Sequence, residues 1–174
     1  MKKYRTEKEI LLDNQVSLFT FEKDLVQEKY TIPEVGELLP GMLHFNRAED
    51  LVLCYFNSWA QRRFEKTVEE VLEGGLEFMI SRFEPGTAFL FRKSLVNFIG
   101  RNDKSSCHGF FQKLRFNPKL NYEWIYTSSK IFNDDNLIFS YSLPISEIEK
   151  NSSFLLHNLE QNLFLQKIFS NCNP

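Results

Sequence analysis

Three histidines, three cysteines and the charged doublets Arg62-Arg63 and Glu69-Glu70 are groups in this sequence that could do chemistry. His44, His108 and His157 could ligate a metal or move a proton. None has a partner at the helical or short-loop spacing that brings two ligands to one ion. Cys107 precedes His108, and neighbours on a strand point to opposite faces, so that pair does not converge. Each histidine therefore reads as structural or surface. Cys54, Cys107 and Cys172 contain no C-x-x-C spacing and fit no paired framework. Glu69-Glu70 looks like paired acids, but adjacent helical positions diverge. Arg62-Arg63 reads as a solvated helix face rather than an anion site. No Gly-x-Ser-x-Gly, His-Glu-x-x-His or phosphate-cradling glycine loop occurs. With no catalytic or metal-binding constellation, the chain is expected not to be an enzyme.

The bulk properties narrow the partners. A net charge of −2 gives no field that favours nucleic acid. MKKYRTEKEILLDNQ has positive charge but no apolar run of signal-peptide length. No segment approaches the ~18 consecutive apolar residues of a membrane span. These features point to a cytoplasmic protein with free thiols and no membrane partner. Eighteen phenylalanines are unusual for 174 residues. They line a ligand cavity or simply fill a Phe-rich core.

The elements that must position these groups follow from periodicity. Thr6 to Val26 carries Ile10, Leu11, Phe19, Phe21 and Leu25 among charges without Pro or Gly, which predicts a helix with an irregular apolar stripe. Gln27 to Leu39, with Pro33, Gly36 and Pro40, reads as a linker or loop. Met42, Leu43 and Phe45 precede the charged turn Arg47-Ala48-Glu49-Asp50, and Leu51 to Phe56 follow it, which predicts a β-hairpin. Asn57 is placed to cap the next helix with its side-chain oxygen. Thr67-Val68-Glu69-Glu70 is a capping-box pattern, and Gly74-Gly75 ends that helix. Leu76 to Phe83 forms a further short helix before Glu84-Pro85-Gly86 breaks the chain. Ala88, Phe91, Leu95 and Phe98 share one face of a longer helix, which Gly100 caps.

The period then drops to two. Around His108 to Phe116, Tyr122 to Thr127 and Leu137 to Leu143, aromatic-rich alternation predicts three antiparallel strands with one face buried. Asn133-Asp134-Asp135-Asn136 is the turn between the last two. From Ile145 to Phe169, Leu156, Leu159 and Leu163 make a short helical seam.

Two strands, short helices, a long helix and three strands, from about Leu38 to Ile145, resemble a PAS domain. The Pro40-Gly41 entry, Asn57 after the second strand, the Thr67 helix start and Tyr122-Glu123-Trp124-Ile125 carry the likeness. Leu143-Pro144-Ile145-Ser146 stands where many PAS domains have an Asp-Ile-Thr turn, and Asp134-Asp135 lacks the usual glycine. Taken whole, the chain resembles the N-terminal sensor part of bacterial regulators that follow PAS with a LuxR-type helix-turn-helix. The final NLFLQKIFSNCNP is similar to the connector into that domain, which is absent here, so any DNA contact would be made by an output domain outside this chain.

The resemblance implies an α+β fold: a five-stranded antiparallel sheet in order 2-1-5-4-3, short helices on one face, and flanking N- and C-terminal helices. It implies residues 1–36 as helix and linker, 37–146 as the PAS-like domain, and 147–174 as a connector helix. The function implied is sensory and dimerising, a non-catalytic signal input to a transcription regulator. Phe78, Phe91, Phe98, Phe110, Trp124 and Tyr126 fall where a PAS pocket would hold an unidentified small ligand. Phe19 and Phe21, with Leu155, Leu156, Leu159, Leu163 and Phe164, are candidates for a homodimer interface. The helix Thr87 to Ile99 lacks the axial His of haem-binding PAS domains, and Gly75 to Phe83 lacks the Cys of flavin-adduct ones, so no cofactor is expected. The alternative is a stand-alone, cone-shaped NTF2-like enzyme or carrier. A hairpin at 42–56 beside a strand at 137–143 discriminates against it.

Overall fold

The computed structural model describes residues 7–132 and 136–148. Helix α1 (Glu7–Val26) and helix α2 (Ile32–Leu38) precede strands β1 (Met42–Arg47) and β2 (Leu53–Phe56). Helices α3 (Ser58–Phe64), α4 (Val68–Ile80) and α5 (Ala88–Gly100) follow. Strands β3 (His108–Leu114), β4 (Glu123–Phe132) and β5 (Leu137–Pro144) complete the sheet, and the short α6 (Ile145–Ile148) leaves it. The strand order is β2-β1-β5-β4-β3, antiparallel throughout. Strand β1 pairs with β5 from Met42 opposite Ser142 to Arg47 opposite Leu137. The expected α+β architecture is therefore present, and the hairpin at 42–56 lies beside the strand at 137–144, the arrangement that discriminates against the NTF2-like alternative.

Local chemistry sets the breaks. Thr67 accepts from the Glu70 N–H while Glu70 accepts from the Thr67 N–H at 2.8 Å, the reciprocal cap the sequence predicts. Gly75, at φ +54° and ψ −145°, kinks α4 in a conformation that side chains disfavour. At the end of α5 the expected glycine cap is corrected: Gly100 belongs to the last turn, and Asn102, at φ +48°, takes the left-handed position.

The stretch read as a linker contains α2 instead. Pro33 sits in the first turn, where a missing N–H costs no helical bond. Glu34 reaches back to accept from the Thr31 N–H at 2.7 Å. Gly36 lies against α3, where an added Cβ would stand 2.8 Å from Asn57 Cβ.

A second correction concerns the sheet, which is covered on both faces rather than one. Met42, Phe56, Phe64, Val71, Leu114 and Ile125 form the core under α3 to α5. Leu18, Val35, Leu43, Phe45, Phe139 and Tyr141 form another core under α1 and α2. All residues of β4 between its two ends are buried as a result.

Candidate functional site

A cavity of about 250 Å³ lies between the sheet and helices α4 and α5. Ligand-holding pockets usually start at ~300 Å³, so this one falls a little below that range. Leu76 and Met79 of α4, Phe91 and Leu95 of α5, and Phe83, which bridges to Leu114 between those helices, give it apolar walls. The floor is polar. Period-two geometry sends Thr127 and Ser129 of β4 to the cavity side, and the β4–β5 register sets them opposite Ser142 and Ser140.

Buried hydroxyls need partners, and these find one another. The hydroxyls of Thr127 and Ser142 are 2.7 Å apart, and those of Ser129 and Ser140 2.8 Å. Gln112 on β3 donates from Nε2 to Thr127 Oγ1 at 2.7 Å. The result is a neutral hydrogen-bonded row across three strands, with spare lone pairs beneath an apolar roof.

Two lining residues carry unmet polar atoms. His44 Nδ1 and Arg82 Nε are buried without a hydrogen-bond partner. Burial pushes the His44 imidazole down to about 4, against a smaller opposing pull from the Met42 backbone that falls short of a formed bond. The ring is therefore neutral near pH 7. Burial also lowers the Arg82 guanidinium, and the nearby Arg115 cation adds to the effect. Arg82 lies over the Phe78 ring at 4.4 Å.

Of the pocket candidates, the structure brings Phe91 and Phe110 to the cavity. They belong to a column of stacked rings running Phe83, Phe91, Phe110, His108 and Phe98, with centroid spacings from 4.7 to 5.6 Å. Phe98 ends the column away from the cavity. Phe78 packs on Phe64 behind the wall, with ring centroids 5.5 Å apart. Trp124 and Tyr126 require correction. They alternate with Ile125 and Thr127, so they face the opposite side of the sheet. Tyr126 OH there accepts from Gln15 Nε2 of α1 at 2.9 Å. Sequence reasoning missed His44, Gln112 and the Ser/Thr row, although the polar alternation of Thr127, Ser129, Ser140 and Ser142 was visible.

The opposite face holds α1. Lys130, 1% exposed, pairs with Glu22 at 2.6 Å and sits 5.2 Å from the Phe19 ring centroid. Phe21 meets Tyr141 edge to face at 6.2 Å, so it belongs to the α1–sheet core rather than to an outer surface. Leu12, Val16, Phe19 and Val26 are exposed instead. Leu155, Leu156, Leu159, Leu163 and Phe164 lie outside the described residues, as do His157, Cys172 and most of the β4–β5 turn.

Ser94 Oγ lies 3.0 Å from His108 Nε2. Burial pushes the Cys107 thiol up to about 11, which leaves little nucleophilic thiolate at neutral pH. Arg63 is not simply solvated: it pairs with Glu123 at 3.3 Å and lies 4.7 Å over Trp59. Among the described residues no three His, Cys, Asp or Glu side chains group as metal ligands. No described helix is long and apolar enough to cross a membrane.

No family model matches the sequence, and no curated protein matches it. Solved structures do. The PAS domain of an HTR-like protein from Haloarcula marismortui is 12% identical, with 72% of this chain and 98% of that one covered at a TM-score of 0.50. The PAS domain of a Desulfitobacterium hafniense protein is 14% identical, covering 62% and 95% at a TM-score of 0.47. A PAS domain from a two-component sensor histidine kinase is 12% identical, covering 64% and 93% at 0.46. At these identities the likeness concerns the fold alone, and the strand order together with the Haloarcula marismortui PAS domain gives this chain the architecture of a PAS domain.

Proposed function

We propose that this chain is a sensory signal-input module, in which occupancy of the cavity on one face of the sheet changes the docking of α1 on the other. One observation carries the reading. The same run of β4 lines the cavity with Thr127 and Ser129 and holds α1 with Tyr126 and Lys130. A shift of the hydroxyl row by a fraction of an ångström must move the intervening residues, since packed interiors transmit strain. The ligand then selects between two α1 dockings that the free protein already populates.

The module works without catalysis and as a homodimer. Leu12, Val16, Phe19 and Val26 recur at i, i+4, i+7 and i+14, the seam spacing of a two-helix coiled coil. A second copy of α1 with the same stripe covers them. The output is transcription regulation through a LuxR-type helix-turn-helix, for which the resemblance of the C-terminal segment to a connector is the support.

Native mass spectrometry of the full chain, purified without denaturation, tests this. A dimer carrying a non-covalent small molecule that leaves on unfolding is the expected result. A bare monomer at micromolar concentration, unaffected by small-molecule extracts of its host, contradicts it.

A further inference from the structure

Native proteins leave few buried polar atoms unpaired, and each exception calls for an explanation. Among the described residues, the buried unpaired side-chain atoms are His44 Nδ1, Arg82 Nε, Arg115 Nε and Ser128 Oγ. Two of these four belong to residues lining one cavity. Among the described residues Arg82 has no ion-pair partner, and the charge that most affects it is Arg115, which has the same sign. A guanidinium cannot lose its proton to escape such a site. It is relieved by a carboxylate, which accepts two parallel N–H bonds from the guanidinium fork. Arg92 adds an exposed second cation to the lining. The rest of the floor is neutral, because His44 is uncharged near pH 7 and its neighbours are hydroxyls and amides.

We propose that the cavity receives a small amphipathic carboxylate, with its apolar body against Phe83, Phe91 and Leu95 and its charged end on Arg82. A hydroxyl or carbonyl elsewhere on the same molecule meets His44 Nδ1 and the serine row. Size agrees with this class. A ~150 Å³ cavity admits benzene, so one of about 250 Å³ admits roughly ten non-hydrogen atoms. A single ring with a short acidic arm fills it, and so does a medium-chain fatty acid. The proposal rests on the reading of the cavity as a ligand pocket and adds the charge and size of what enters.

Calorimetry and thermal unfolding on the full chain test it with octanoate and 4-hydroxyphenylacetate, each against its uncharged primary amide. The acids are expected to bind saturably, at least tenfold tighter than the amides, and to raise the unfolding temperature by mass action. Arg82→Gln is expected to erase the acid–amide difference, and Arg82→Lys, which keeps the charge, to retain part of it. Ser140→Leu, which fills the floor, is expected to abolish binding of both classes. Amides that bind wild type as well as the acids do would overturn the carboxylate assignment and leave a ligand pocket in place. Acids that bind Arg82→Gln as tightly as wild type would do the same. No binding by either class, with Ser140→Leu indistinguishable from wild type, would overturn the assignment and the pocket reading together.

Discussion

Asn57 donates from Nδ2 to the Gly36 carbonyl at 2.9 Å, so the residue that opens α3 is bound to the helix that precedes the sheet. The same nitrogen donates to the Gly41 carbonyl at 2.9 Å, and Oδ1 accepts from the Leu43 N–H at 3.2 Å. Asn57 does occupy the N-cap position by its extended backbone, but its side chain makes no cap bond. The expected capping role is thus replaced by a three-way tie between α2, the start of β1 and α3. The reason is burial. At 1% exposure its amide is shut off from water, and its nitrogen meets the Gly36 and Gly41 carbonyls instead.

That tie sets the size of the first expected effect. A lost cap costs ~1 kcal/mol, whereas stranding several buried polar groups costs about 1–3 kcal/mol each. Asn57→Ala is therefore expected to lower stability by about 3 kcal/mol in urea unfolding. Asn57→Asp, which cannot donate to two carbonyls, is expected to do no better. A loss near 1 kcal/mol for alanine would show that the tie is weak.

The Lys130–Glu22 pair gives an asymmetric expectation. Glu22→Gln leaves a buried ammonium without its counter-charge, and breaking a buried pair in this way costs about 3 kcal/mol or more. Lys130→Met replaces the ion by an apolar chain of similar volume and is expected to cost under about 1.5 kcal/mol. Equal losses from the two variants, measured by denaturant unfolding, would contradict a desolvated lysine at this position.

Acid sensitivity follows from His44. Its folded pKa is depressed from 6.5 to about 4, so between those values the unfolded chain binds a proton that the folded one excludes. Stability is intact above pH 6.5 and falls as pH drops toward 4. The loss reaches at most about 3 kcal/mol, an upper figure because the residue is only half-buried. His108, also lowered by burial, contributes with the same sign. His44→Gln is expected to flatten the unfolding midpoint over pH 4–6.5. A variant with the wild-type slope would remove His44 from the account.

The exposed stripe of α1 is checked by sedimentation at micromolar concentration. Leu12→Asp/Val16→Asp is expected to convert a dimer to a folded monomer. A double variant that still pairs would exclude this stripe from the interface.

The strand order was legible because the hairpin and the three alternating segments each carry a period-two signal that burial enforces. The second layer was not. The face of α1 that meets the sheet includes Gln15 and Glu22, whose partners are Tyr126 and Lys130, so a reading based on apolar residues alone sees a ragged stripe. Thr127-Ser128-Ser129-Lys130 is hydrophilic by composition, yet it runs through an interior strand of the sheet because Thr127 and Ser129 pair across strands and Lys130 pairs with α1. Pro33 and Gly36 suggested a break, whereas one starts α2 and the other lets α2 approach Asn57. Placing Trp124 and Tyr126 in the pocket was an error of parity. Large aromatics attract attention, but the cavity side of β4 is the one with Thr127 and Ser129.

The coupling between the two faces of the sheet is tested most directly by amide hydrogen exchange after a change confined to the cavity side. Thr127→Val keeps the shape but removes the hydroxyl that meets Gln112 and Ser142, one residue from the Tyr126 that holds Gln15. Amides from Leu11 to Leu25 are expected to exchange at least tenfold faster, with those of α3 unchanged as the internal reference. Protection of α1 within twofold of wild type, or a uniform loss in α1 and α3 alike, would contradict a signal carried through β4.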